Sequence, residues 1–213
     1  MEHPLCDRYW FLTWTMYGNR LAGDAKGFVS NVREGSGPEV RHNIPGTPHD
    51  TDIPALEVYV QEQMKGPPVR IDVAQSEALL QQFFETSDIR KSFLMAVSIM
   101  SQHVHIVVGV PGDPDPERIL NDFKRYASQR LNRSWTTPKS GRWWTRRGSK
   151  RKLQDDAAVL AAIKYTIDQE FPLLVWTAPI PELGLPGGRI EPPAGNSGER
   201  SDVSRPIPCA PPQ

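Results

Sequence analysis

Cysteine is nearly missing from this chain: Cys6 and Cys209, close to opposite ends, are the only two in 213 residues. Neither a disulfide framework nor a thiolate zinc site can be built from such a pair. Long apolar runs are missing too, and without about 18 consecutive apolar residues no membrane-spanning helix is expected. The opening stretch MEHPLCDRYW lacks the basic start, apolar stretch and small-residue cleavage site of a secretory signal, so the default expectation is a cytoplasmic protein. Net charge is the third absence, with 25 Lys and Arg against 25 Asp and Glu. Taken as a sum, that balance speaks against a polyanionic partner.

The distribution of charge says otherwise. Between Arg118 and Lys152 stand 12 of the 25 basic residues and a single acidic one, Asp122, which leaves 13 basic and 24 acidic residues for the rest of the chain. A neutral protein with one concentrated basic segment is suited to hold a polyanion with that segment. The plain alternative is a solvated charged face. Tyr126, Trp135, Trp143 and Trp144 are interleaved with the cations, however, and arginines beside rings are what single-stranded nucleic acid asks of a surface.

Residues 98–110, SIMSQHVHIVVGV, set two histidines one residue apart in an apolar, β-branched run. With the preceding KSFLMAVSIM it predicts a hairpin turning at Ser101 and Gln102. Side chains two apart on a strand share a face, so His103 and His105 stand side by side while Val104 and Ile106 point the other way. Two neutral imidazoles can converge on one metal ion. They can also be half-buried polar groups satisfied by hydrogen bonds, and the pair by itself leaves both readings open.

The remaining pattern supplies a fold. RYWFLTWTMYG, residues 8–18, reads as an aromatic and β-branched strand, and residues 35–54 as a loop rich in Gly, Pro, Ser and Asp. VAQSEALLQQFFETS reads as a helix capped by Ser76, and DPERILNDFKRYASQRLNR as a helix starting near Asp115 and Pro116. The basic aromatic stretch SGRWWTRRGSKRKL leads into a further strand, and DDAAVLAAIKYTIDQE into a last helix stopped by Pro172. Strand, helix, strand, strand, helix, strand, helix is the order of an α+β, ferredoxin-like (RRM-like) antiparallel sheet with helices packed on one face. One domain is expected over residues 1–176. From Thr177 onward Pro and Gly dominate, and residues 177–213 read as a disordered or loosely wrapped tail.

In the last helix Tyr165 and Gln169 are four apart and so lie one turn from each other on one face. A phenol is a nucleophile only when its developing charge is stabilised, since its free pKa is about 10. A divalent ion can give that stabilisation while polarising a phosphate, and a glutamine one turn away can add its amide oxygen to the same ion.

The ordered set HVH, FLTWTMYGNRLAGDAKG, FKRYASQRLN, GRWWTRRGS and KYTIDQE resembles the single-tyrosine HUH transposases, in particular the REP-associated and IS200-like branches. The resemblance covers about residues 8–171. It implies an HUH-endonuclease fold in which His103, His105 and Gln169 ligate Mg2+ or Mn2+. It implies also that Tyr165 nicks and joins single-stranded, hairpin-containing DNA through a 5′-phosphotyrosine intermediate that leaves a free 3′-hydroxyl. Lys124, Arg125, Arg130, Trp143, Trp144, Arg146, Arg147, Lys150 and Arg151 are then the expected DNA contacts. A homodimer and a monomer both stay open.

Three other readings compete. A noncatalytic single-stranded RNA- or DNA-binding module of the same fold would use Trp10, Trp14 and His103 as stacking groups. A barrel metal hydrolase would place its HVH pair near the start of roughly 250 residues, unlike this chain. Tyr126, three residues before Gln129, is a rival nucleophile, although its place in the basic helix suits a DNA-facing role better.

Overall fold

The computed structural model describes residues 6–22, 31–32, 40–41 and 53–190. The chain divides into two units, Met1–Tyr17 with Pro68–Gly195 and Gly18–Pro67 with Asn196–Gln213. Strand β1 (Arg8–Thr15) opens the first unit. In the second, β2 (Asn31–Val32) pairs antiparallel with β3 (Val40–Arg41), and helix α1 (Pro54–Glu62) starts on a proline and buries none of its residues. The loop expected over residues 35–54 lies outside the described residues, apart from β3 and the two residues that open α1. The sequence reading did not anticipate α1.

The first unit resumes with α2 (Val73–Arg90), β4 (Phe93–Ile99), β5 (His103–Val110), α3 (Pro116–Ser134), β6 (Ser149–Leu153), α4 (Asp156–Ile167), β7 (Leu174–Thr177), a 3-10 turn (Pro181–Leu183) and β8 (Gly188–Ile190). Six strands form one antiparallel sheet in the order β6-β1-β5-β4-β7-β8. Its first four strands, with α2 between β1 and β4 and α3 between β5 and β6, reproduce the ferredoxin-like order expected from the sequence.

Local chemistry explains where the helices begin. Asp72 accepts from the Gln75 backbone at 2.8 Å, and Gln75 Oε1 accepts from the Asp72 backbone at 3.0 Å, a reciprocal cap. That pair, not Ser76, starts α2; the Ser76 hydroxyl donates to the Val73 carbonyl instead. Asp115 caps α3 ahead of Pro116, and Asp155 caps α4.

Alternation along the strands gives the sheet two buried faces. Trp10, Leu12 and Trp14 of β1 and Val104, Ile106 and Val108 of β5 pack with Leu79 and Phe83 of α2 and Leu120, Phe123 and Leu131 of α3. Phe83 stands edge-on to both Trp14 and Phe123, with ring centroids 5.8 and 5.7 Å apart. On the other face Ala96, Val107 and Leu153 pack with Val159, Ala162 and Ile163 of α4. The expectation of helices on one face holds for α2 and α3 and fails for α4. The extra residue Met95, a bulge between Leu94 and Ala96, changes the facing of β4 partway along it.

The domain also runs further than residue 176. Ala178 and Ile180 are buried, and β8 pairs with β7 through Val175↔Ile190, Trp176↔Arg189 and Thr177↔Gly188. Proline richness misplaced this boundary, because an edge strand and a 3-10 turn tolerate proline where a helix would not. Residues 191–213 lie outside the described residues. Among the described residues, no helix is long and apolar enough to cross a membrane.

Candidate active site

His103 and His105 open β5, on the face that α4 covers. Their register partners are Thr15 and Thr13 of β1. His105 is 2% exposed, its ring stacks on Phe11 with centroids 5.4 Å apart and planes at 14°, and its Nδ1 lies 2.7 Å from the Thr13 hydroxyl. The His103 ring stands across it at 4.9 Å and 84°. Burial, and next the neighbouring His103, hold the His105 pKa well below the usual imidazole range, so the ring is neutral at pH 7 with one nitrogen lone pair available. In the tautomer whose Nδ1–H donates to the Thr13 hydroxyl, Nε2 is that nitrogen, and it is buried without a well-formed hydrogen bond. A hydrogen-bonding interaction with the Gln169 side chain pulls the pKa of this ring the other way.

Helix α4 brings the tyrosine. Tyr165 meets His105 edge-on at 5.6 Å and Phe11 at 5.7 Å. The helix ends at Ile167, so Gln169 lies just past it, yet its amide nitrogen donates to the Tyr165 carbonyl at 2.8 Å and keeps the one-turn relation predicted from the spacing. The amide nitrogen is thereby spent on the backbone, and the oxygen is the end left for a ligand.

Whether this set suits a divalent ion can be judged from its donors. Among the described residues, no group of three or more His, Cys, Asp or Glu could hold a metal. The two imidazole rings stand 4.9 Å apart with the Gln169 side chain beside His105, and a buried Nε2 without a well-formed hydrogen bond is what an absent ligand leaves behind. Two imidazoles favour a transition ion and the amide oxygen a harder one, so this mixed set fits Mn2+ better than Mg2+, which seeks oxygen ligands.

Two site residues were missed in the sequence, Phe11 and Thr13. Alternation along β1 puts them opposite Trp10, Leu12 and Trp14, but only the pairing of β1 with β5 shows that this face belongs to the histidines. The rival Tyr126 lies on α3, across the sheet, where Arg90 donates to its hydroxyl at 3.4 Å and the Arg90 and Arg125 guanidiniums sit 5.8 and 5.7 Å from its ring. Trp10 and Trp14 are buried at 8% and 1% exposure, which removes them as stacking groups for a nucleic acid.

The expected DNA contacts separate into three groups. Lys124, Trp143 and Trp144 are buried and must be withdrawn from the binding list. Lys124 Nζ donates to the carbonyls of Thr145, Arg146 and Arg147 at 2.6, 3.2 and 3.1 Å, and burial lowers its pKa to about 8. Trp143 donates to Asn132 at 2.7 Å, and Trp144 donates to Ser128 at 2.6 Å and to the Lys124 carbonyl at 3.0 Å. Basic and aromatic interleaving here builds an anchored loop in place of a stacking surface. Gly148 ends that loop where a Cβ would come within 2.7 Å of the Thr13 carbonyl oxygen, so the backbone can draw up beside β1 here only without a side chain.

A second group stays outward: Arg146 and Arg147 on that loop, and Arg125 on α3, are exposed. Arg130 is half-buried, and Lys150 pairs with Glu117 of α3. Arg151 stands alone as a third. It pairs in register with Phe11, so it shares the face of His105 and Tyr165 while its neighbour Lys150 faces α3. Trp144→Ala is therefore expected to act on stability, lowering the unfolding free energy by roughly 3–5 kcal/mol in a denaturant melt. Wild-type stability with lost DNA affinity would restore it as a binding residue.

A ferredoxin-like core whose sheet carries a His-x-His pair under a helix bearing tyrosine, with a glutamine just past the helix end, defines a protein with a histidine and tyrosine site of assembled, partly buried side chains. Residues 69–165 match the family model described as "Transposase IS200 like", a stretch that holds His103, His105 and Tyr165. Over that stretch the chain is similar to the IS200-like transposases. Among solved structures it is similar to a REP-associated tyrosine transposase bound to a REP hairpin, at 11% identity and a TM-score of 0.41, with 78% of this chain and 68% of that chain covered. No curated protein matches the sequence.

Proposed function

We propose that this protein nicks and rejoins single-stranded DNA next to a hairpin, with Tyr165 as the nucleophile. The observation that carries the reading is the meeting of Tyr165, His105, His103 and Gln169 on one sheet face, from segments some sixty residues apart in sequence. The match of residues 69–165 to the IS200-like transposase model supports transposase chemistry.

In this reading His103, His105 and Gln169 hold a divalent ion, which when bound polarises the scissile phosphate and offsets charge on the attacking oxygen. Tyr165 Oη attacks phosphorus as its proton is lost, and the bond to the 3′-oxygen breaks. That oxygen takes up a proton to give a free 3′-hydroxyl, and a 5′-phosphotyrosine link remains. Thr13 fixes the His105 ring through Nδ1, and Phe11 supports the rings of both His105 and Tyr165. Arg151, on the same face, places a guanidinium where a phosphate bound beside Phe11 would be neutralised. Arg125, Arg146 and Arg147 hold the hairpin backbone outside the site.

The test is to incubate the protein with labelled single-stranded hairpin DNA and manganese and look for a protein–DNA adduct that survives denaturation. Absence of an adduct across a panel of hairpins, with binding intact, favours the noncatalytic module.

A binding prediction follows from the exposed loop. Replacing Arg146 and Arg147 with alanine is expected to weaken DNA binding and reduce the slope of log affinity against log salt by roughly 1.4, since about 0.7 counterions per lost contact go unreleased from a single strand. Equal slopes in a salt titration would assign these arginines to a solvated face.

A further inference from the structure

Phe171 is 84% open to solvent, the largest exposure among the large hydrophobic side chains of the described residues, and its backbone is left-handed, with φ at 56°. Both features carry a cost. A bulky residue seldom adopts this region, and an open phenyl ring forgoes the gain from burial. The turn itself explains only the backbone: α4 has ended at Ile167, Pro172 disfavours a helical conformation for residue 171, and Leu173 N–H donates to the Ile99 carbonyl at 2.8 Å to rejoin the sheet. Glycine or asparagine would make the same turn at less cost. The ring adds nothing to either core cluster.

Its position is informative. Phe171 lies two residues beyond Gln169, and the turn it belongs to leads into β7 at the Ile99↔Leu174 pair. Ile99 also pairs with Val104, next to His103, so this is the end of the sheet at which the histidine pair begins. The turn that carries the ring is therefore at the same end of the sheet as the candidate site.

The geometry points to Phe171 as a stacking platform for an unpaired nucleobase beside the phosphodiester that Tyr165 attacks. The inference rests on the function proposed above. A single ring is too small to anchor a second protein, because stable protein interfaces bury more than about 1,000 Å². One ring is enough for a base, and such stacking is tolerant of base identity. The exposed Glu170 next to it would repel a backbone phosphate, so the flat face of a base fits this spot better than the sugar-phosphate chain.

The experiment first maps the nicked position from the wild-type adduct, then places 2-aminopurine beside it in an oligonucleotide bound by the Tyr165→Phe protein, which cannot react. Quenching of its fluorescence is expected with Phe171 or with Phe171→Trp. With Phe171→Gly the quenching should disappear and the affinity fall by roughly 5- to 100-fold. Phe171→Gly relieves the left-handed strain, so an unchanged or higher melting temperature will separate lost stacking from lost folding. A wild-type adduct together with equal affinity and equal fluorescence in Phe171→Gly overturns this inference alone. Failure of the wild type to form any adduct overturns the functional reading and this inference with it.

Discussion

Tyr165→Phe is expected to abolish the covalent DNA adduct, a fall of roughly 10⁴-fold or more, while single-stranded DNA binding persists. Only the hydroxyl is removed. The ring contacts with Phe11 at 5.7 Å and His105 at 5.6 Å remain, so stability should change by no more than about 1 kcal/mol. The rival Tyr126 cannot stand in, since it is held between Arg90 and Arg125 on the far face of the sheet, and Tyr126→Phe should leave the adduct unchanged. Denaturing gels of both variants with labelled hairpin DNA decide the matter. Adduct retained in Tyr165→Phe and lost in Tyr126→Phe would move the nucleophile to α3.

The second large effect is at His105. His105→Ala is expected to reduce adduct formation by at least about 100-fold even at high manganese, because it removes the buried nitrogen donor and the ring on which Phe11 and Tyr165 are organised. It should also cost stability, roughly 1–3 kcal/mol, since the Thr13 hydroxyl is left in the interior without its partner. Adduct yield and a thermal melt on the same sample separate the two consequences. Unchanged cleavage would sink the metal site, and lost cleavage that tracks the unfolded fraction would reduce His105 to a packing residue.

The two histidines were legible because alternation on a strand is a strict rule: His103 and His105 had to share a face once β5 was recognised. The tyrosine and glutamine were legible through helical spacing, although Gln169 keeps its place by a hydrogen bond to the Tyr165 carbonyl after the helix has ended. The basic, aromatic segment misled at particular positions. Composition cannot distinguish a tryptophan that stacks on a base from one that donates to Asn132 or Ser128 inside the protein, nor a lysine that meets phosphate from one that ties down three carbonyls. Burial separates them, and burial depends on which elements lie opposite.

The same division runs through the whole molecule. The strands and helices of the ferredoxin-like core, the start of α3 near Asp115, the shared face of the histidine pair and the likeness of residues 69–165 to the IS200-like transposases were all written in the sequence, because each depends on local periodicity, local hydrogen bonding or an ordered motif. Only the tertiary structure decided that α4 crosses to the face opposite α2 and α3, that Phe11, Thr13 and Arg151 flank the site, and that the sheet continues to Ile190. Those facts are set by pairing between distant strands, and a one-residue change of register would turn every one of those side chains to the other face.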